Sequence, residues 1–170
     1  MNLAIDIGNT RTKFGFFKEK DLIEKIVWEK WTLADLKALL KGLSDGTIDV
    51  INSNHSPYEV EAKSLEFVYA EFGIIGLETT FALINTRLEE KFKPSDLVHL
   101  LAVQPRVVLS LPIPNIEEQA IANLTLFQPN KKWTFSQKDI FSKSKNTPFI
   151  GTEFRGKVLG VINGNYTNLI

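Results

Sequence analysis

The chain has 170 residues, with 20 basic and 20 acidic side chains, no cysteine and an apolar content of 44%. Those values are typical of a soluble globular protein of one domain, or of one domain and a fragment. They exclude disulfides and thiolate metal sites, and zero net charge argues against a dedicated nucleic-acid binder. The opening residues lack a signal-peptide pattern and no apolar run approaches the roughly 20 residues that span a bilayer, so a cytoplasmic protein is expected.

In chain order, Leu3 to Ile7 predicts a short strand rich in β-branched residues. Gly8 and Asn9 suit a tight turn, Thr12 to Phe17 a second strand and Leu22 to Trp28 a third, giving an antiparallel meander. Thr32 is an N-cap type with Asp35 three residues on, and Leu33, Leu36, Leu39, Leu40 and Leu43 keep helical spacing up to Gly42 or Gly46. Ile48 to Asn52 predicts a strand, and Ser56-Pro57-Tyr58-Glu59 a capping box opening a helix that stops at Gly73. Ile74 to Leu77 predicts a strand parallel to 48–52, completing a crossover unit.

The pattern is weaker beyond residue 79. Thr79 to Asn85 reads as extended, Ser95 to Val103 as a helix entered after Pro94, Val107 to Leu111 as a strand, and Asn115 to Leu124 as a short capped helix. Trp133 and Phe135 are the apolar anchors of a polar, broken region, in which Ser142 to Asn146 is a solvated loop. Lys157 to Ile162 is a last strand, and Asp45-Gly46-Thr47 a plain turn.

Asp6 is a carboxylate at the end of an apolar strand, followed by a turn whose backbone N–H groups can hold phosphate oxygens. The string Asp6-Ile7-Gly8-Asn9-Thr10 resembles the first phosphate motif of the type III pantothenate kinases, members of the sugar kinase/actin superfamily. The resemblance implies a ribonuclease H-like α/β fold: a mixed sheet of three antiparallel strands followed by βαβ units. The phosphate-binding domain would cover residues 1–80, and a reduced second domain residues 81–170. It implies ATP, with Mg²⁺ near Asp6, the terminal phosphates on Gly8, Asn9 and Thr10, and Lys13 adding charge. A monovalent cation, K⁺ or NH₄⁺, would assist.

Asn85 to Ala102 is similar in spacing to a second family motif. On that resemblance Asn85 binds substrate and Asp96 is the general base on the substrate hydroxyl, where a carboxylate within hydrogen-bond reach is required. The motif's glycine is Pro94 here and its arginine is Leu97. The family's second phosphate loop, Asp-x-Gly-Thr, has no counterpart in Val107 to Pro114. Three functions follow as expectations: phosphorylation of the small molecule pantothenate toward coenzyme A, in a possible homodimer; an impaired relative serving as a nucleotide-binding or interaction module; and a ribonuclease H-like nuclease using Asp6 with Asp49 or Asp96.

Overall fold

The computed structural model describes residues 2–7, 12–18, 21–28, 32–66 and 68–170, with side chains from residue 32 onward. The described chain divides into two compact units. The first runs to Ile75 and takes in Ser144–Asn146; the second holds Gly76–Lys143 and Thr147–Ile170.

In the first unit, β1 (Asn2–Ile7), β2 (Thr12–Lys18) and β3 (Asp21–Trp28) form an antiparallel sheet in sequential order. The β1–β2 register sets Asn2 opposite Phe17 and Asp6 opposite Lys13. This is the meander that the alternation of short apolar runs and polar turns predicts. The helix α1 (Leu33–Asp45) begins at Thr32, whose hydroxyl accepts from the Asp35 N–H while the Asp35 carboxylate accepts from the Thr32 N–H. Both orphan donors at the helix start are therefore satisfied, and Gly46 closes the end in the left-handed region at φ 78°. After the helix, Ile48 folds back on it: its N–H donates to the Gly42 carbonyl at 2.9 Å and its side chain is buried.

The expected crossover unit does not form. Ile48 to Asn52 and Ile74 to Leu77 are not strands, and every strand pair among the described residues is antiparallel. The helix expected after Ser56 shrinks to one turn, α2 (Val60–Lys63), with Glu59 rather than Ser56 at its start. An apolar run becomes a parallel strand only where neighbouring strands take its backbone hydrogen bonds. Here the bonds of the two segments go elsewhere: Ile48 N–H to Gly42 C=O, Ser56 N–H to Ile74 C=O and Ile75 N–H to Asn146 C=O. The ribonuclease H-like architecture of antiparallel strands followed by βαβ units is thus not the one adopted.

The second unit packs helices on an antiparallel sheet. Thr79 to Asn85, expected to be extended, lies almost entirely in α3 (Thr80–Arg87). The expected helix after Pro94 is a rod in three parts: α4 (Pro94–Val98), a π-helical turn (His99–Val103), and α5 (Gln104–Val108). Pro105 explains the wide turn. It has no N–H for the Leu101 carbonyl and its ring crowds that turn, so the ladder expands and the Gln104 N–H reaches the His99 carbonyl instead. The same rod takes up Val107 and Val108, so no strand forms there. The helix expected over 115–124 is also missing, and β4 (Asn123–Thr134) begins at its end.

Strands β4, β5 (Glu153–Asn163) and β6 (Tyr166–Leu169) pair in that order, all antiparallel. β4 bulges between Gln128 and Lys132, around Pro129, which has no N–H to give to the ladder. Phe135 and Phe154 are fully buried, and Trp133, Phe135, Phe154 and Phe149 form a chain of rings 5.9 to 6.1 Å apart. The Trp133 indole N–H donates to the Gly156 carbonyl at 2.9 Å, and the Lys157 ammonium lies 5.0 Å from its ring centre. Leu97 and Leu100 bury the inner face of the helical rod. No helix of the described residues is long and apolar enough to cross a membrane.

Candidate functional site

Each residue singled out in the sequence has a definite position in the chain. Asp6 stands on β1 and Lys13 opposite it on β2, with their side chains outside the described residues; Gly8, Asn9 and Thr10 lie outside them altogether. Asn85 is buried at 5% exposure in α3, where its amide donates to the Pro129 and Arg155 carbonyls, both at 2.9 Å. Its donor capacity is used in holding α3 on β4 and β5. Thr86 extends the same seam: the Arg155 N–H donates to its hydroxyl at 2.8 Å, and that hydroxyl donates to Ala82 C=O at 2.6 Å. Asp96 is exposed at the start of α4, and its carboxylate accepts from the Lys93 N–H at 2.8 Å. That is the position of a first-turn acid that caps a helix and complements its dipole. Asp49 is half-buried in the connection after α1.

The most organised polar site of the described chain involves a residue with no motif around it. Asn146, read from the sequence as part of a solvated loop, is half-buried at the centre of a clasp in the first unit. Its side-chain amide donates to the Ser56 carbonyl at 2.9 Å and to the Gly73 carbonyl at 3.2 Å. Its side-chain oxygen accepts from the Tyr58 N–H at 3.4 Å, and its backbone carbonyl from the Ile75 N–H at 3.1 Å. Two segments 15 or more residues apart are tied through one amide whose donors and acceptor are all engaged. Lys63 joins them from α2, donating to the Gly73 carbonyl at 3.1 Å with its ammonium 5.9 Å from the Tyr58 ring centre.

The loop held by this clasp carries Asn52, Asn54 and His55. Asn54 has φ 45°, in the left-handed region, and its N–H donates to the Asn52 side chain at 3.2 Å. Gly73 has φ 118°, and a Cβ there would stand 2.6 Å from Ser56 Cβ, so close approach of the two segments requires glycine. A run such as Asn52-Ser53-Asn54-His55-Ser56-Pro57 signals a turn through its small polar residues. It gives no sign that a distant asparagine completes it.

In the second unit, Glu78 Oε1 accepts from the Ser142 N–H at 2.7 Å, while Oε2 is buried with no hydrogen-bond partner among the described residues. Nowhere among the described residues do three or more His, Asp or Glu side chains gather so that they could hold a metal ion.

Comparisons with known proteins show what the chain is similar to. No family model matches the chain. It is 39% identical over 130 residues to the dihydroorotase of Chlorobaculum tepidum, covering 75% of this chain and 30% of that protein. It is likewise 39% identical over 140 residues to the dihydroorotase of Clostridioides difficile, covering 81% and 31%. The chain therefore spans about a third of the length of the curated relatives it matches. Among solved structures, the L-hydantoinase (dihydropyrimidinase) from Arthrobacter aurescens superposes with a TM-score of 0.70 at 19% identity, covering 82% of this chain and 34% of that one. The inactive dihydroorotase-like domain of the Chaetomium thermophilum CAD-like multifunctional protein superposes with a TM-score of 0.57 at 16% identity, covering 80% and 36%.

The structural likeness is to part of the hydantoinase and dihydroorotase-like folds, and not to an actin or sugar-kinase domain. The resemblance to type III pantothenate kinases is therefore corrected. With it go the phosphotransferase activity, pantothenate as acceptor, the place in coenzyme A biosynthesis, and ATP with Mg²⁺ and K⁺ or NH₄⁺ as cofactors. The roles of Asp6, Gly8, Asn9, Thr10, Lys13, Asn85 and Asp96 were roles in that reaction. A string of five residues and the spacing of Asn85 to Ala102 carry the kinase resemblance, against 130 residues of similarity to a dihydroorotase.

Proposed function

We propose that the chain is a section of a dihydroorotase-like cyclic amidohydrolase, a hydrolase of pyrimidine metabolism that acts on a small dihydroorotate-like cyclic amide. Its described residues supply framework and not the reacting groups. The observation that carries this is the 39% identity over 130 residues to a dihydroorotase. Hydantoinase neighbours with TM-scores up to 0.70 support the same class of chemistry, since both names denote the opening of a cyclic amide.

In such a reaction, water adds across the ring C–N bond. The hydroxyl goes to the carbonyl carbon, which becomes a carboxylate, and the nitrogen takes a proton. A divalent metal with three or more protein ligands commonly activates that water. The described residues do not fit such a centre, because they bring no three ligating side chains together. What they offer is support: the Asn146 clasp fixes the Asn52–Tyr58 loop, and Asn85 with Thr86 fixes α3 on its sheet. A neighbour of the same fold is itself described as an inactive dihydroorotase-like domain, so the fold also exists without turnover.

The experiment is a chimera. The matched 130-residue segment of the Chlorobaculum tepidum dihydroorotase is replaced by that of this chain. The expected product folds cooperatively and binds as much zinc as the parent, because the proposal assigns the described residues of this chain to the framework and not to the metal. A chimera that fails to fold, or that loses its metal, contradicts the proposal.

A further inference from the structure

Asn163-Gly164 is the only Asn-Gly pair in the sequence. It lies where β5 turns back into β6, with Asn163 opposite Tyr166 on β6 and opposite Asn123 on β4. Gly164 takes the first position of the two-residue turn at φ 57°, in the left-handed region that a II′ hairpin turn asks of glycine there. Asparagine is a chemically labile residue, and most so before glycine. The nitrogen of the next residue attacks the side-chain carbonyl carbon, and a residue without Cβ leaves that approach open.

The surroundings favour that attack in three ways. Asn163 is exposed, so water reaches the product of ring closure. Its side-chain amide makes no hydrogen bond among the described residues, so nothing ties it away from the main chain. A Cβ placed on Gly164 would meet only Ile121 Cγ2, at 3.8 Å, so the space about the turn is open. One bond opposes the reaction: the Gly164 N–H donates to the Ala122 carbonyl at 2.7 Å. The attacking nitrogen must first lose its proton, and this short bond shields the proton and holds the nitrogen in place. Ala122 directly precedes β4, so the bond closes the end of a ladder and not its middle, and ladder ends open more readily.

We propose that Asn163 is a site of spontaneous deamidation whose rate is set by opening of the Gly164–Ala122 hydrogen bond. In the open form the deprotonated Gly164 nitrogen forms a bond to Asn163 Cγ, and the Cγ–Nδ2 bond breaks. Nδ2 leaves as ammonia, taking up the proton that the Gly164 nitrogen lost. Water then opens the cyclic imide and leaves a carboxylate at residue 163, on either a normal or an isoaspartyl linkage. No electrons are transferred, and water is the one co-reactant. The isoaspartyl form carries an extra main-chain atom at the last residue of β5. The pairing of residue 163 with Tyr166 then loses its register, and β6 is loosened from β5.

The test incubates the full 170-residue chain at mildly alkaline pH and follows conversion of amide to acid at each asparagine by peptide mass spectrometry. A synthetic peptide of residues 158–168 is treated alike, and amide exchange at Gly164 is measured by NMR. Asn163 is expected to convert ahead of every other asparagine, Asn52 and Asn54 included. Its rate should lie about tenfold or more below that of the peptide, by the same factor that slows Gly164 exchange. Asn163→Gln should lose the signal with the circular dichroism unchanged, since the residue is exposed. In the converted chain, exchange at Ile170, whose N–H donates to the Leu159 carbonyl at 2.8 Å, should quicken about tenfold or more. Conversion of the folded chain at the full rate of the peptide overturns the proposal, because the bond then imposes nothing. So does an Asn163 that stays intact over a time in which the peptide converts and the Gly164 amide exchanges. Earlier conversion of another asparagine overturns it as well.

Discussion

The Asn85 amide occupies the space that a side chain on residue 156 would need. Gly156 has φ 98°, and a Cβ built there would stand 2.8 Å from Asn85 Nδ2 and 3.1 Å from the Phe81 ring. Glycine on β5 lets α3 approach closely enough for one buried amide to reach two carbonyls, Pro129 and Arg155, at 2.9 Å each. Replacing Asn85 by Ala takes this donor from two part-buried carbonyls, at a cost of about 1–3 kcal/mol. Gly156→Ala meets both the contact and the backbone strain, and a loss of about 1–3 kcal/mol is expected. Urea unfolding of the second unit checks both. The two sites touch, so the double variant should lose less than the sum of the two single losses.

Asn146 should act as a local fastener. Asn146→Ala removes two donated bonds and one accepted bond from the clasp. Amide exchange at Ile75 and Ser56 should speed up, with little change around Phe135 and Phe154 in the other unit. Asn146→Asp is the sharper variant. It keeps the acceptor for Tyr58 N–H but loses the donors to Ser56 and Gly73, so it should fail to restore protection.

At the end of α1, the Asp45 carboxylate accepts from the Thr47 hydroxyl at 2.6 Å and the Thr47 N–H at 3.1 Å. These bonds favour the charged form and hold Asp45 below the ordinary aspartate value. A depressed folded-state pKa means stability that is present above the unfolded pKa and is lost as pH falls through the folded one. An NMR titration should find Asp45 still ionised where free aspartate is half protonated, and Thr47→Ala should move it back. The group is fully exposed, so the effect on global stability is small.

With the kinase resemblance set aside, nucleotide has no expected role. A thermal-shift titration with Mg-ATP should move the melting transition by less than the error of measurement. Asp6→Ala and Asp96→Asn should behave like the parent in that titration. A saturable rise with Mg-ATP, lost in Asp6→Ala, would reopen the phosphate-loop assignment.

Much of the local structure is legible in the chain, and the long-range structure is not. The meander can be read because its strands pair with their sequence neighbours, so register follows from short turns. The cap on α1 can be read because Thr32 and Asp35 satisfy each other within one turn. The runs 48–52 and 74–77 mislead, because a strand needs partners that the described chain does not offer them. Val107-Val108 misleads differently: β-branched residues suit a strand, but the rod through His99 to Val108 already carries them in a helix. Asn115 with Glu118 has the spacing of a cap, but Ile116 and Ile121 stay exposed, and without packing so short a segment does not hold a helix. At the candidate site, Asn146 was beyond reach because its partners lie more than 70 residues away. The string at Asp6 misleads about the family, because five matching residues and a loosely spaced second motif weigh less than similarity over 130 residues.

The central claim is that this chain is a dihydroorotase-like section whose described residues frame a reaction and do not perform it. Incubating the full chain with zinc and dihydroorotate, and following opening of the ring, tests it most directly. No turnover above buffer is predicted, together with less than about one zinc retained in ten chains after gel filtration. Steady ring opening by the purified chain, with zinc bound one to one, would contradict it.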